Sequence, residues 1–225
     1  MIIFNMKTSF KKPIIATTLA GLFLKHTPWE TAHMRWFKEA AEQLNDPSVN
    51  KWAKKPDYFK GVDEVMQRLY PNLTNGERTA KARELYFDAV LNNIKDSGDV
   101  RNEKVIEYFK KLKKDYALAL ITTNKQESLN KILALVNLLD LFDIIEASLP
   151  EEKDDKTIVF DRFIERYGKP IVYIGGGKSD TYAYCQQNNI PAIFANFESQ
   201  ESIESVETVH TLEDLKQKIS KFLNF

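Results

Sequence analysis

From residue 116 to the C-terminus, short apolar runs alternate with stretches of helical periodicity, and that rhythm leaves the chain few folds. Residues 116–122 (YALALIT), 143–147 (DIIEA), 170–174 (PIVYI) and 191–195 (PAIFA) read as buried strands. Between and after them, residues 126–136, 157–167, 180–188 and 211–223 carry apolar residues at helical spacing. In the second of these, Ile158, Val159, Phe163 and Ile164 are expected to face inward. In the last, Leu212, Leu215, Ile219 and Phe222 share a face, and Thr211 ahead of Glu213 and Asp214 reads as an N-cap. Strands that are apolar along their whole length need cover on both faces. The expectation is therefore an α/β fold, a Rossmann-like doubly wound parallel sheet between helix layers. Right-handed crossovers then bring the loops that follow the strands to one edge of the sheet, where such folds bind ligands.

The first half has a different pattern. Residues 12–18 (KPIIATT) read as a buried strand, and residues 28–94 as helices throughout. One helix is expected over 29–44, ending near Asp46-Pro47. A second spans 59–70, stopped by Pro71, and a third 76–94. Residues 102–114 lead back to the sheet. The expected organisation is a core of residues 1–26 and 97–225 with an inserted all-helical cap over 27–96, and Asp96-Ser97-Gly98-Asp99 as a hinge-like loop. Trp29, Trp36, Phe37 and Trp52 read as packing within the cap, or as the lining of a binding surface.

Charge and cysteine usage exclude several function classes. The 32 basic and 32 acidic residues give no net charge, so no nucleic-acid partner is expected. Residues 1–60 carry a net +5, and residues 198–207 hold four glutamates without a basic residue; both read as solvated faces. Cys185 is the single cysteine, which rules out an internal disulfide and suits a reducing compartment, so the expected location is the cytoplasm. His26, His33 and His210 are scattered and no Cys/His group has zinc spacing. Lys7, Lys11 and Lys12 ahead of the apolar run 13–24 have the look of a signal peptide. No small-x-small cleavage site follows, and the run is too short to span a bilayer as a helix. A first strand explains it better, and no membrane association is expected.

The strand ends carry the chemistry. They read Thr18-Leu19-Ala20-Gly21-Leu22, then Thr122-Thr123-Asn124-Lys125, then the turn Glu152-Lys153-Asp154-Asp155-Lys156, then Gly175-Gly176-Gly177-Lys178-Ser179-Asp180. Gly177-Lys178-Ser179 matches the tail of a phosphate-binding loop, but the leading glycine of that loop would fall on Val172, inside a strand. In order and spacing, the four strand ends resemble the motifs of the haloacid-dehalogenase-like (HAD) hydrolases, in the phosphoglycolate-phosphatase-like branch with a helical cap. The likeness covers nearly the whole chain.

The resemblance implies an aspartate nucleophile, an aspartate acid and a magnesium ion, and here the sequence departs from it. Aligned on Gly21, the nucleophile falls on Thr18 and the acid on Ala20, and the first magnesium-binding aspartate of the fourth motif falls on Gly176. Asp180 is the surviving carboxylate. A one-residue shift does not help, because residues 14–23 contain no acid. Magnesium is held by carboxylates together with phosphate oxygens, and a threonine hydroxyl attacks poorly without a base. Thr123, Asn124 and Lys153 fall where the family holds phosphoryl oxygens. The expectation is a pseudo-phosphatase that requires no cofactor and binds a phosphorylated small molecule or a protein partner. One rival is a magnesium-dependent phosphohydrolase using displaced carboxylates such as Asp154, Asp155 or Asp180; another is a scaffold without a ligand. Rebuilding the three positions together, as Thr18→Asp, Ala20→Asp and Gly176→Asp, is expected to restore more chemistry than Thr18→Asp alone.

Overall fold

Six strands form one sheet: β1 (Ile14–Thr17), β2 (Ala117–Lys125), β3 (Ile144–Ser148), β4 (Val172–Gly175), β5 (Ala192–Ala195) and β6 (Glu207–Val209). Their order is β3-β2-β1-β4-β5-β6, and every pairing is parallel. The expected doubly wound sheet is thus present, with β1 at its centre between β2 and β4. The structure is a computed structural model that describes residues 12–53, 58–149, 152, 155–177 and 179–223. It divides into two compact units, one of Met1–His26 and Arg101–Phe225, the other of Thr27–Val100.

The second unit is all helical: α1 (Thr27–Glu30), α2 (Ala32–Gln43), a 3-10 turn (Pro47–Ala53), α3 (Tyr58–Leu69) and α4 (Asn75–Ser97). The single helix expected over 29–44 is interrupted at Thr31, whose hydroxyl donates to the Thr27 carbonyl at 2.8 Å, a back-bond that bends helices. Trp36, Phe37, Ala40, Val49, Val65 and Met66 form this unit's core, and Trp52 packs against it. The indole of Trp52 lies where a β-carbon on Gly61 would stand, 2.4 Å from the Trp52 Cβ. Trp36 and Phe37 are thus core residues, as the packing alternative has it. Thr74 and Glu77 cap α4 reciprocally, each side chain bonding the other residue's backbone N–H. The α4 helix runs on to Ser97, so Asp96 and Ser97 belong to it, and the chain turns at Gly98 with φ +64°.

In the sheet unit, α5 (Glu103–Leu112), α6 (Gln126–Leu135), α7 (Lys156–Tyr167), α8 (Ser179–Gln187) and α9 (Leu212–Leu223) complete the alternation. Ile14, Ala16, Ala119 and Ile121 project from one face of the central strands into a cluster with Phe160 and Phe163 of α7 and Tyr173, Tyr182 and Cys185. Ile158 departs from expectation: it is 38% exposed, and the inward stripe of α7 is Val159, Phe160 and Phe163. A helix face at this spacing takes i, i+1 and i+4, which leaves i−1 on the rim. Thr211 does cap α9, accepting from the Asp214 N–H at 3.1 Å. Among the described residues no helix is long and apolar enough to cross a membrane.

Candidate functional site

The first loop is fixed from below by its apolar residues. Leu22, Phe23 and Leu24, directly after the strand-end residues 18–21, are completely buried. The Phe23 ring meets Phe109 and Phe142 edge-on, with centroids 4.9 and 5.3 Å away. Asn102 donates its backbone N–H to the Phe23 carbonyl and its side-chain amide to the Leu22 carbonyl, both at 2.8 Å. The loop closes on itself through Phe23 and Leu24 N–H groups on the Leu19 carbonyl and the Gly21 N–H on the Leu24 carbonyl at 2.7 Å. Gly21 has φ +79°, a conformation that favours glycine.

Two of the expected positions, Thr18 and Gly176, meet the first loop here. Thr18 continues the β1–β4 ladder, its N–H bonding the Ile174 carbonyl at 3.2 Å. Gly175 lies beside it, so close that an added β-carbon would be 3.0 Å from the Thr18 Cγ2. The next residue, Gly176, lies directly on the backbone of Gly21. A β-carbon there would stand 2.7 Å from the Gly21 Cα and 2.9 Å from the Ala195 carbonyl oxygen. The three nearest atoms it would meet are backbone and cannot rotate away. This geometry argues against the expectation that Gly176→Asp would help to rebuild a catalytic centre, because a β-carbon there meets the backbone of the first loop. His26 reinforces the contact, because its Nε2 hydrogen-bonds the Gly176 carbonyl oxygen and its own backbone N–H donates to Glu198 Oε2 at 2.6 Å.

Among the described residues, a lysine that reaches this strand end is Lys156. Its ammonium donates to Thr18 Oγ1 at 3.3 Å and to the Tyr173 hydroxyl at 3.1 Å, and it lies 5.6 Å from the centroid of the Tyr173 ring. Burial holds the Tyr173 hydroxyl well above the ordinary phenol range, so it stays protonated. Lys153 and Asp154 lie outside the described residues. The sequence places two lysines, Lys153 and Lys156, three residues apart ahead of this helix. The signal for Lys156 was its place at the start of an amphipathic helix, where a side chain can reach back to the strand ends. Asp155, one of the displaced carboxylates considered, caps that helix: its Oδ1 accepts from the Thr157 N–H at 2.9 Å and from the Thr157 hydroxyl at 2.7 Å.

Charge gathers around Arg162 of α7. The Arg162 guanidinium binds Glu146 Oε1 at 2.5 Å, the Ala147 carbonyl at 2.6 Å and the Glu152 carboxylate. Burial alone would lower the Arg162 pKa, but its hydrogen bonds to Glu146 and Glu152 outweigh that and raise it. Burial likewise works to raise Glu152, yet the Leu149 N–H and Arg162 hold it below the usual carboxylate range.

The remaining expected residues are spread along the same edge. Thr123 and Asn124 end β2, the neighbour of β1, at an irregularity of register between Thr122 and Lys125; the Asn124 N–H bonds Thr122 Oγ1 at 3.1 Å. Asp180 is exposed in the first turn of α8. Among the described residues no group of three or more His, Cys, Asp or Glu side chains is placed to hold a metal ion.

The comparisons with known proteins agree with this architecture. The family model of haloacid dehalogenase-like hydrolases matches residues 29–195. No curated protein matches the sequence. The HAD-hydrolase YfnB of Bacillus subtilis, solved bound to magnesium, aligns over 94% of this chain and 100% of its own, at 14% identity and a TM-score of 0.60. A predicted phosphatase from Clostridium acetobutylicum aligns over 93% of this chain and 99% of its own, at 18% identity and a TM-score of 0.59. CbbY of Rhodobacter sphaeroides, solved in complex with phosphate, aligns over 91% and 99%, at 14% identity and a TM-score of 0.58. At these identities the structures speak for the fold, and the family match covers most of the sequence. The chain belongs to the haloacid dehalogenase-like hydrolase family.

Proposed function

We propose that this member of the family does not hydrolyse phosphate esters and instead holds an anionic, phosphorylated small molecule at the end of β1, without a metal ion. The observation that carries this reading is the backbone contact between Gly21 and Gly176. A magnesium centre needs several oxygen ligands converging on one point. Here the position of one expected carboxylate is occupied by main chain, two others are Thr18 and Ala20, and Asp180 is exposed. Among the described residues, those present do not fit the ion.

The chemistry at Thr18 supports the same reading. An attacking hydroxyl must give up its proton to a base. The Lys156 ammonium hydrogen-bonded to the Thr18 oxygen has only protons to donate, and burial holds the neighbouring Tyr173 hydroxyl above the ordinary phenol range. The lysine contact draws electron density away from the oxygen. It suits an anion instead, because an ammonium beside a hydroxyl offers a charge and a second donor to phosphoryl oxygens. Thr123 and Asn124, on the adjacent strand end, are the further donors in this proposal.

The test is a thermal-shift series with inorganic phosphate and phosphorylated metabolites, with and without magnesium. A ligand at a hundredfold excess over its Kd stabilises by about 2.7 kcal/mol, roughly 5–10 °C in Tm for a chain of this size. The expected result is a shift that is independent of magnesium and lost in Lys156→Met. A shift that persists in Lys156→Met, or appears only with magnesium, would contradict the proposal.

A further inference from the structure

We propose that His26 is a positioning residue that braces the first loop against the fourth, so that the strand-end site is assembled by a protein hydrogen bond where a bound cation would otherwise tie the loops together. This concerns how the loops are held and stands whether or not a ligand binds there.

Three contacts converge on this one residue. Its Nε2 bonds the carbonyl oxygen of Gly176, in the loop after β4. Its backbone N–H bonds the Glu198 carboxylate, in the loop after β5, at 2.6 Å. Its ring edge covers Gly21, in the loop after β1: a β-carbon on Gly21 would be 2.7 Å from His26 Cδ2. A carbonyl oxygen only accepts, so Nε2 must carry the proton, which fixes the role of the ring as a donor. A brace is needed for a physical reason. Gly21 and Gly176 meet with no side chains between them, and so few atoms gain little dispersion energy. The apolar anchor at Phe23 holds the far side of the loop and leaves the Gly21 side to polar contacts. His26 supplies those contacts at the last residue before the helical unit begins.

The reading is tested by site-resolved hydrogen exchange on the full chain and on His26→Ala and His26→Gln, with magnesium absent and in excess. The amides to follow are Gly21 and Leu24, which bond the Leu24 and Leu19 carbonyls. In His26→Ala they are expected to exchange about tenfold faster or more, while amides in the β2–β3 pairing keep their rates. Glutamine retains an N–H donor on its side chain, so His26→Gln should recover much of the protection. Magnesium should not restore it in either variant. Unchanged exchange at Gly21 and Leu24 in His26→Ala, or acceleration spread evenly over the whole sheet, would overturn the proposal. So would exchange in His26→Gln as fast as in His26→Ala. Should His26→Ala fail to fold, the wild type and His26→Gln still decide: nitrogen NMR of the wild-type imidazole must show the proton on Nε2, and a neutral ring protonated on Nδ1 would refute the brace.

Discussion

Gly176 rests on Gly21 with so little clearance that a single added carbon on the former would come within 2.7 Å of the latter's Cα. The two residues belong to different loops, after β4 and after β1, and the contact occupies space that a carboxylate would need. Gly176→Asp is accordingly expected to destabilise the chain by about 1–3 kcal/mol, the ordinary penalty for forcing atoms into a packed site, and to create no magnesium affinity. Denaturant unfolding measures the first and calorimetry the second. A variant as stable as wild type that binds magnesium stoichiometrically would mean that the loops part easily.

Lys156 and Lys153 make opposite predictions. Lys156 touches Thr18 and Tyr173, so Lys156→Met should weaken phosphate binding by about 1.5–3 kcal/mol, the range for a hydrogen bond to a charged group. Lys153→Met should leave it near wild type. Titration calorimetry with inorganic phosphate separates them, and the reverse order would return the role to Lys153.

Arg162 of α7 ties the end of β3 to Glu152. Its side chain is 13% exposed and that of Glu146 4% exposed, so Arg162→Ala takes one of two arginines from a buried carboxylate, leaving Arg166 at 3.1 Å, and should cost about 1–3 kcal/mol. The pH dependence has a definite sign. The folded-state pKa of Glu152 is depressed, so its contribution is present above the unfolded value of about 4.3 and is lost as pH falls through the folded value. Unfolding curves from neutral to acid pH should therefore be steeper for wild type than for Arg162→Ala. Parallel curves would contradict this account of the network.

The fold was legible because strand and helix periods differ and the chain respects both. The runs YALALIT and PIVYI can bury both faces only inside a covered sheet, and β2 and β4 are there. That residues 14–23 contain no acid is read directly, whereas the assignment of family positions to Thr18, Ala20 and Gly176 rests on the resemblance. What the sequence hid was consequence. That Gly176 had become a backbone contact depends on the approach of two loops separated by some 150 residues, and nothing in the local sequence of either encodes it. That Lys156 reaches Thr18 depends on where α7 starts, and helix boundaries are set by caps such as Asp155 that compete over a few residues. His26 gave no sequence signal at all, because a lone histidine outside any motif is ordinarily a surface residue.

Cys185 offers an independent check of the packing on which the site rests. It is fully buried in the cluster with Tyr173 and Tyr182, and burial pushes its thiol up to about 12. As the only cysteine, it should be inert to a thiol-specific disulfide reagent at mildly alkaline pH in the native chain and react fully once the chain is unfolded. Fast reaction in the native state would show the wall behind Lys156 to be open.

The central claim is that the strand-end site binds without hydrolysing. It is tested most directly by phosphate release from a generic aryl phosphate in the presence of magnesium, measured for the rigorously purified wild type beside Thr18→Ala and Asp180→Asn. The account predicts that all three are indistinguishable from the buffer background. Magnesium-dependent release by the wild type that disappears in Asp180→Asn would contradict it and identify the chain as a working phosphohydrolase.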